Sequence, residues 1–157
     1  MVQEAKFKKI IKIILTVLVL LLSFTLFPMF GLGLAFLEDF LASFILTCIF
    51  VGMWLAYLGM AIYWKSKMLL NVYMCYWLLV AASYLIIFIL SELLVLEMIM
   101  SALMVLFLMP MLGVVVFNAD DMSMFSYIFI SIIIPLALFL IGYIAKNKLA
   151  REVQQHV

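Results

Sequence analysis

Long runs of uncharged, mostly apolar residues follow one another along this chain, and charged residues stand only between them. The first such run, residues 13–36, contains no charged side chain. A bilayer core about 30 Å thick is crossed by roughly 20 apolar residues, because an α-helix rises 1.5 Å per residue. Since backbone groups surrounded by lipid must be hydrogen-bonded internally, each run is predicted to be helical. The pattern therefore predicts an all-α, polytopic bundle of membrane-spanning helices.

Five apolar segments are predicted to cross the membrane: residues 10–34, 40–64, 68–90, 98–117 and 124–145. The strands of a membrane barrel would alternate in polarity over about ten residues, and the sequence has no such alternation. We therefore predict a single membrane domain over residues 1–157. Its predicted polar ends are a short basic segment at residues 1–9 and a tail at residues 146–157.

The composition supports this prediction and excludes several other classes of protein. Hydrophobic residues make up 71% of the chain and charged residues 11%, whereas a soluble domain carries about 25% charged residues. Basic residues are not interleaved with aromatic ones in a stripe, so nucleic-acid binding is not expected. The one histidine, His156, cannot supply a His-based zinc site or a catalytic triad. We predict no enzyme activity, no catalytic residue, no metal site and no cofactor.

The placement of the lysines predicts how the chain is oriented. Four of them precede the first long apolar run, namely Lys6, Lys8, Lys9 and Lys12. The protein is therefore predicted to lie in the cell membrane with its N-terminus on the cytoplasmic side. After two crossings the chain returns to that side at Lys65 and Lys67. Five aromatic residues near these two lysines are predicted to lie at the membrane interface: Tyr63, Trp64, Tyr73, Tyr76 and Trp77.

Residues 91–117 leave the number of crossings open. Five crossings place the three basic residues after residue 145 on the outer side, against the positive-inside tendency. A re-entrant segment bent at Pro110 or Gly113 would leave four crossings and a cytoplasmic tail. However, residues 98–117 are long enough to span, and the limb after Gly113 is short for a symmetrical re-entrant loop. We predict five spans, with four spans plus a re-entrant segment as the alternative.

Gly52, Ala56 and Gly59 form the most specific pattern inside a predicted span. Their spacing at i, i+4 and i+7 places them on one face of a helix, where small side chains let two helix backbones approach closely. They are the candidate helix-packing residues. The contact is either internal to the chain or made with a partner, and the sequence leaves both readings open.

Carboxylates and methionines supply weaker candidates. Glu92 and Glu97 are a candidate ion or proton site, but they lie about 140° apart around a helix, and a hydrated hairpin is the simpler reading. Asp120 and Asp121 offer too few oxygens for a hard cation and are read as a solvated turn. Methionines crowd residues 98–124 and suggest Cu(I) ligands, but without supporting histidines or paired cysteines they are read as apolar filler.

These observations predict a non-enzymatic accessory, regulatory or protective subunit that acts through helix–helix association. The alternative is a small transporter or channel subunit, which would need polar side chains at mid-bilayer depth. The residues available for that role are few and carry only hydroxyls: Thr47, Ser83, Ser101 and Ser131. The predicted partners are the lipid bilayer and another membrane protein or a second copy of the chain. The pattern resembles only the broad class of small multi-pass membrane proteins.

Overall fold

Four helices make up the part of the chain that the computed structural model describes, residues 2–30, 40–90 and 124–155. Helix α1 comprises Val2–Leu21 and continues through a π-helical turn at Leu22–Leu26, α2 is Phe40–Tyr63, α3 is Lys67–Leu90, and α4 is Met124–Gln155. Each of the four is long and apolar enough to cross a membrane. The predicted all-α class is confirmed for these residues. The fourth predicted segment, residues 98–117, lies outside them.

The π-helical turn in α1 has a local cause. Pro28 follows it directly and has no N–H to donate, and a proline ring pushes against the carbonyl four residues earlier. The helix widens here, so that the Phe27 N–H donates to the Leu22 carbonyl, five residues back. The hydroxyl of Ser23 donates to the Val19 carbonyl at 2.8 Å, which adds a hydrogen bond next to the widened turn. The turn remains within a continuous helical rod.

A tight turn joins α2 to α3. The N–H of Ser66 donates to the Ala61 carbonyl at 2.9 Å, and the N–H of Lys65 donates to the Ile62 carbonyl at 3.0 Å. These two bonds form a Schellman motif, in which the residue after the helix adopts the left-handed conformation and is usually glycine. Here that residue is Lys65, with φ of 46°. The turn therefore stores strain at a lysine.

Replacing Lys65 with asparagine should raise the free energy of unfolding in detergent by up to about 1 kcal/mol, because asparagine tolerates the left-handed conformation better than lysine does. Lys67→Asn is the matched control, since it removes the same charge from the first residue of α3. Thermal unfolding followed by circular dichroism compares the two variants. Equal midpoints would contradict the assignment of strain to Lys65.

Helix α3 lies at the centre of the bundle. It packs most extensively against α4, next against α2, and also contacts α1. Residues from four successive turns of α3 are fully or almost fully buried, among them Leu69, Tyr73, Trp77 and Val80. Since α2 and α3 are joined by a tight turn, they form an antiparallel hairpin on which α1 and α4 pack.

Candidate functional site

A cluster of aromatic side chains fills the space between α1, α2 and α3. We define this aromatic core as Phe50, Trp54, Tyr57, Tyr73, Tyr76 and Trp77, each no more than 2% exposed. The Trp54 and Tyr76 rings stack with centroids 4.1 Å apart and an interplanar angle of 18°. Trp54 also meets Tyr73 and Trp77 edge to face, at 6.0 and 6.1 Å. Trp54 is therefore at the centre of the core.

Two hydroxyl groups on α1 hold that helix to the core. Trp54 donates from Nε1 to Ser23 Oγ at 3.1 Å, and Thr16 Oγ1 lies 3.0 Å from Tyr57 Oη in a hydrogen bond. Thr16 and Ser23 are seven residues apart, so they share one face of α1. The order of the two contacts shows that α1 and α2 run antiparallel.

Three polar atoms in the core have no hydrogen-bond partner within the described residues: Tyr73 Oη, Tyr76 Oη and Trp77 Nε1. A buried unsatisfied donor costs about 1–3 kcal/mol. The Tyr76 hydroxyl lies beside Ser23 and Trp54, and the Tyr73 hydroxyl lies beside Trp77. Small movements that pair these neighbours would offset the cost. The core therefore has the polar groups for its own hydrogen-bond network.

The side chains of Tyr73, Tyr76 and Trp77, predicted to lie at the membrane interface, are inside the bundle and contact other helices. Their depth in the membrane remains a prediction. Tyr63 differs from them and is 83% exposed at the end of α2. At the same end, the Lys12 ammonium lies 6.0 Å from the centroid of the Trp64 ring, at the outer limit for a cation–π contact. The burial of these aromatic residues depends on which face of the helix they occupy, and not on their distance along the chain from the lysines.

The three candidate helix-packing residues, Gly52, Ala56 and Gly59, are exposed on α2. At 100° per residue they lie opposite the face of α2 that carries Trp54 and Ala61 into the core. A Cβ atom added at Gly52 or at Gly59 would meet nothing within 4 Å. Among the described residues, this small-residue face of α2 is therefore open. The prediction that it packs against another helix remains a prediction.

Close helix packing instead occurs at Gly142 of α4, which the sequence analysis did not single out. A Cβ atom there would stand 2.7 Å from Tyr73 Cδ1 and 3.1 Å from Met74 Cγ, so the backbone of α4 lies directly on α3. The signal in the sequence is the spacing of the buried residues of α4, namely Pro135, Leu138, Gly142 and Leu149. Their steps of three, four and seven residues follow one helical seam.

An apolar groove lies between α1 and α2, beside the π-helical turn. Its volume is about 330 Å³, and its lining is entirely apolar: Leu22, Leu26, Phe27, Phe30, Leu46, Ile49 and Met53. The T-shaped pair of Phe27 and Phe50, with centroids 4.9 Å apart, links it to the aromatic core. The groove can accept an apolar chain and offers it no polar contact.

Glu92 and Glu97, with Asp120 and Asp121, lie outside the described residues. Within the described residues, no three histidine, cysteine or carboxylate side chains come together as metal ligands would. Comparison of the chain with known protein families, curated proteins and solved structures found no match. The site is therefore characterised by its geometry alone.

Proposed function

We propose that this chain is a multi-pass protein of the cell membrane, with a cytoplasmic N-terminus, that acts without catalysis as an accessory, regulatory or protective subunit. It does so by associating with another membrane protein or with a second copy through the small-residue face of α2. The length and apolarity of the four helices support the membrane location. The space beyond Gly52 and Gly59, which no described residue fills, is the observation that supports the association.

The physical reason is specific to lipid. Apolar helices gain no hydrophobic free energy by leaving lipid tails for one another, so their association depends on close backbone approach and dispersion contacts. Gly52 and Gly59 present no side chain, and Ala56 presents only a methyl group. The exposed isoleucines Ile45 and Ile49, seven and three residues before Gly52, extend the same face with larger side chains. Such a surface accepts a partner helix at short axial distance.

The filled interior supports association over transport. Stacked and edge-to-face rings occupy the space between α1, α2 and α3. A solute path needs polar groups that line an open passage at mid-bilayer depth. Here the hydroxyl groups of Thr16 and Ser23 are engaged by Tyr57 and Trp54. These two hydroxyl groups thus serve contacts between helices.

Replacing Ala56 with leucine should weaken association about tenfold or more, which corresponds to about 1.4 kcal/mol, because the added side chain holds the partner backbone away. Ala137→Leu makes the same change at an exposed position of α4 and is the control. Association is measured by co-purification of two differently tagged copies and by sizing in mild detergent. If a different membrane protein co-purifies instead, the same two variants are compared for its recovery.

Cys48 offers a second readout for a second copy. It is exposed on α2 one turn before Gly52, so oxidation should crosslink two copies that meet at this face. The exposed Cys75 of α3 is the internal comparison. Crosslinks should disappear in Cys48→Ser and decrease in Ala56→Leu. If Ala56→Leu and Ala137→Leu give the same recovery and the same crosslinking, association through this face is refuted.

A further inference from the structure

The contact at Gly142 fixes the position of α4 along the axis of α3. The backbone of Gly142 lies against Tyr73 and Met74, and Tyr73 is six residues after Lys67. At 1.5 Å per residue, Gly142 is about 9 Å from the end of the bundle that carries the α2–α3 turn. That end also holds the beginning of α1, because Lys12 lies over the Trp64 ring. Gly142 therefore lies close to the lysine-bearing end of the bundle.

The positions of the basic residues of α4 indicate whether this helix runs parallel or antiparallel to α3. If α4 ran parallel to α3, Lys148 would lie level with Leu79, which is 54% exposed near the middle of α3. A basic side chain at the bilayer centre raises the free energy of membrane insertion by about 2.5–3.5 kcal/mol. In the parallel arrangement the apolar residues before Pro135 would also project into water. In the antiparallel arrangement Lys148 lies level with Lys67, and Pro135 lies level with Val80, where both are buried.

The antiparallel arrangement gathers every lysine and arginine of the chain on one face of the membrane. We define this basic surface by its nine residues, Lys6, Lys8, Lys9, Lys12, Lys65, Lys67, Lys146, Lys148 and Arg151. Seven of the nine are exposed, and Lys12 and Lys146 are half-buried. The described residues contain only two carboxylates, Glu4 and Glu152. The surface is therefore strongly positive although the whole chain has a net charge of only +1.

We propose that this basic surface binds the headgroups of anionic phospholipids, and that α1 begins and α4 ends on the same side of the membrane. An anionic leaflet attracts basic residues beside a membrane helix with about 1 kcal/mol per residue near the surface. Lysine and arginine stems reach along apolar helices while their charged ends stay among the headgroups. Residues 90 and 124 then share the opposite side, which agrees with the four-span alternative of the sequence analysis.

The sidedness is tested first, in a variant in which Cys48 and Cys75 are both replaced by serine. Lys8→Cys and Asn147→Cys each add one cysteine, near the two ends of the surface. A membrane-impermeant maleimide is applied to sealed vesicles of known orientation and, as a control for reactivity, to permeabilised ones. Both cysteines should be labelled from the same side. Labelling from opposite sides would overturn the proposal.

Lipid binding is tested on the full chain purified in a neutral detergent. Added phosphatidylglycerol should raise the thermal unfolding midpoint by several degrees more than phosphatidylcholine at the same ratio, because a ligand bound by the folded state stabilises it. The difference should fall at high salt, since screening weakens exposed charges. It should be clearly reduced in K146Q/K148Q/R151Q, which removes three of the nine basic residues, and kept in the charge-conserving K146R/K148R/R151K.

Inorganic phosphate separates lipid headgroups from soluble anions. At the concentration of the added lipid, it should leave the midpoint unchanged. The proposal is overturned if phosphate stabilises the protein as well as phosphatidylglycerol does, or if the two phospholipids act alike. It is also overturned if the neutralised and charge-conserving variants respond equally. Asn147→Gln changes a neutral exposed residue between the two lysines of α4 and should respond like the unmodified chain.

Discussion

Replacing Trp54 with alanine should reduce the free energy of unfolding in detergent by about 3–5 kcal/mol, which is the range for removing a fully buried tryptophan. The side chain is 0% exposed and stacks on Tyr76 at 4.1 Å. Its loss leaves a cavity where α1, α2 and α3 meet and also removes the donor to Ser23. Unfolding is followed by circular dichroism, because the substitution changes the tryptophan fluorescence.

Trp64→Ala is the matched control, because Trp64 is only half-buried at the end of the bundle. This substitution should lower the free energy of unfolding much less. Trp54→Phe keeps one aromatic ring and removes the hydrogen-bond donor and the second ring of the indole, so it should cost less than Trp54→Ala, about 1–3 kcal/mol. This second variant keeps the test informative if Trp54→Ala fails to fold. Similar midpoints for Trp54→Ala and Trp64→Ala would show that Trp54 does not occupy the centre of the core.

Replacing Gly142 with alanine should lower the free energy of unfolding by about 1–3 kcal/mol, the usual cost of overpacking. The new Cβ atom would stand 2.7 Å from Tyr73 Cδ1, so one of the two groups must move. The Tyr73 ring is 0% exposed and lies against Trp54 and Trp77, and it has little room to retreat. Gly142→Leu should be more damaging still. Chemical unfolding in detergent measures both variants.

Gly52→Ala and Gly59→Ala provide the comparison within the same chain. Both positions are helical, and no described residue lies within 4 Å of an added Cβ atom. Alanine should therefore leave stability unchanged or raise it slightly through its higher helix propensity. All three substitutions make the same chemical change, and only Gly142 faces a neighbouring helix in the described residues. If all three variants unfold alike, the close contact between α3 and α4 is wrong.

The hydropathy pattern predicted the positions of the described helices well, but it did not predict where α1 begins and α4 ends. The predicted segments 40–64 and 68–90 nearly coincide with α2 and α3. Helix α1 begins earlier, at Val2, and α4 continues to Gln155, ten residues past the predicted segment 124–145. An apolar run marks only the part of a helix that is apolar enough to cross a membrane. The residues beyond it, mostly lysine, glutamate, glutamine and alanine, are good helix formers and extend the helix past the apolar run.

The sequence could not show which face of each helix turns inward. Tyr63 and Tyr73 have the same side chain and lie within ten residues of each other, yet one is exposed and the other is buried. All faces of these helices are apolar enough for lipid, so the usual contrast between a polar and an apolar face is missing. The same absence of contrast hid Gly142, whose role depends on a ring of α3 lying against it.

The π-helical turn at Leu22–Leu26 has a consequence for recognising relatives of this protein. Such a turn accommodates an extra residue without ending the helix, because its hydrogen bonds span five residues instead of four. A homologue that lacked this extra residue would form a regular first helix, and its sequence would align with this chain across a gap of one position near Ser23.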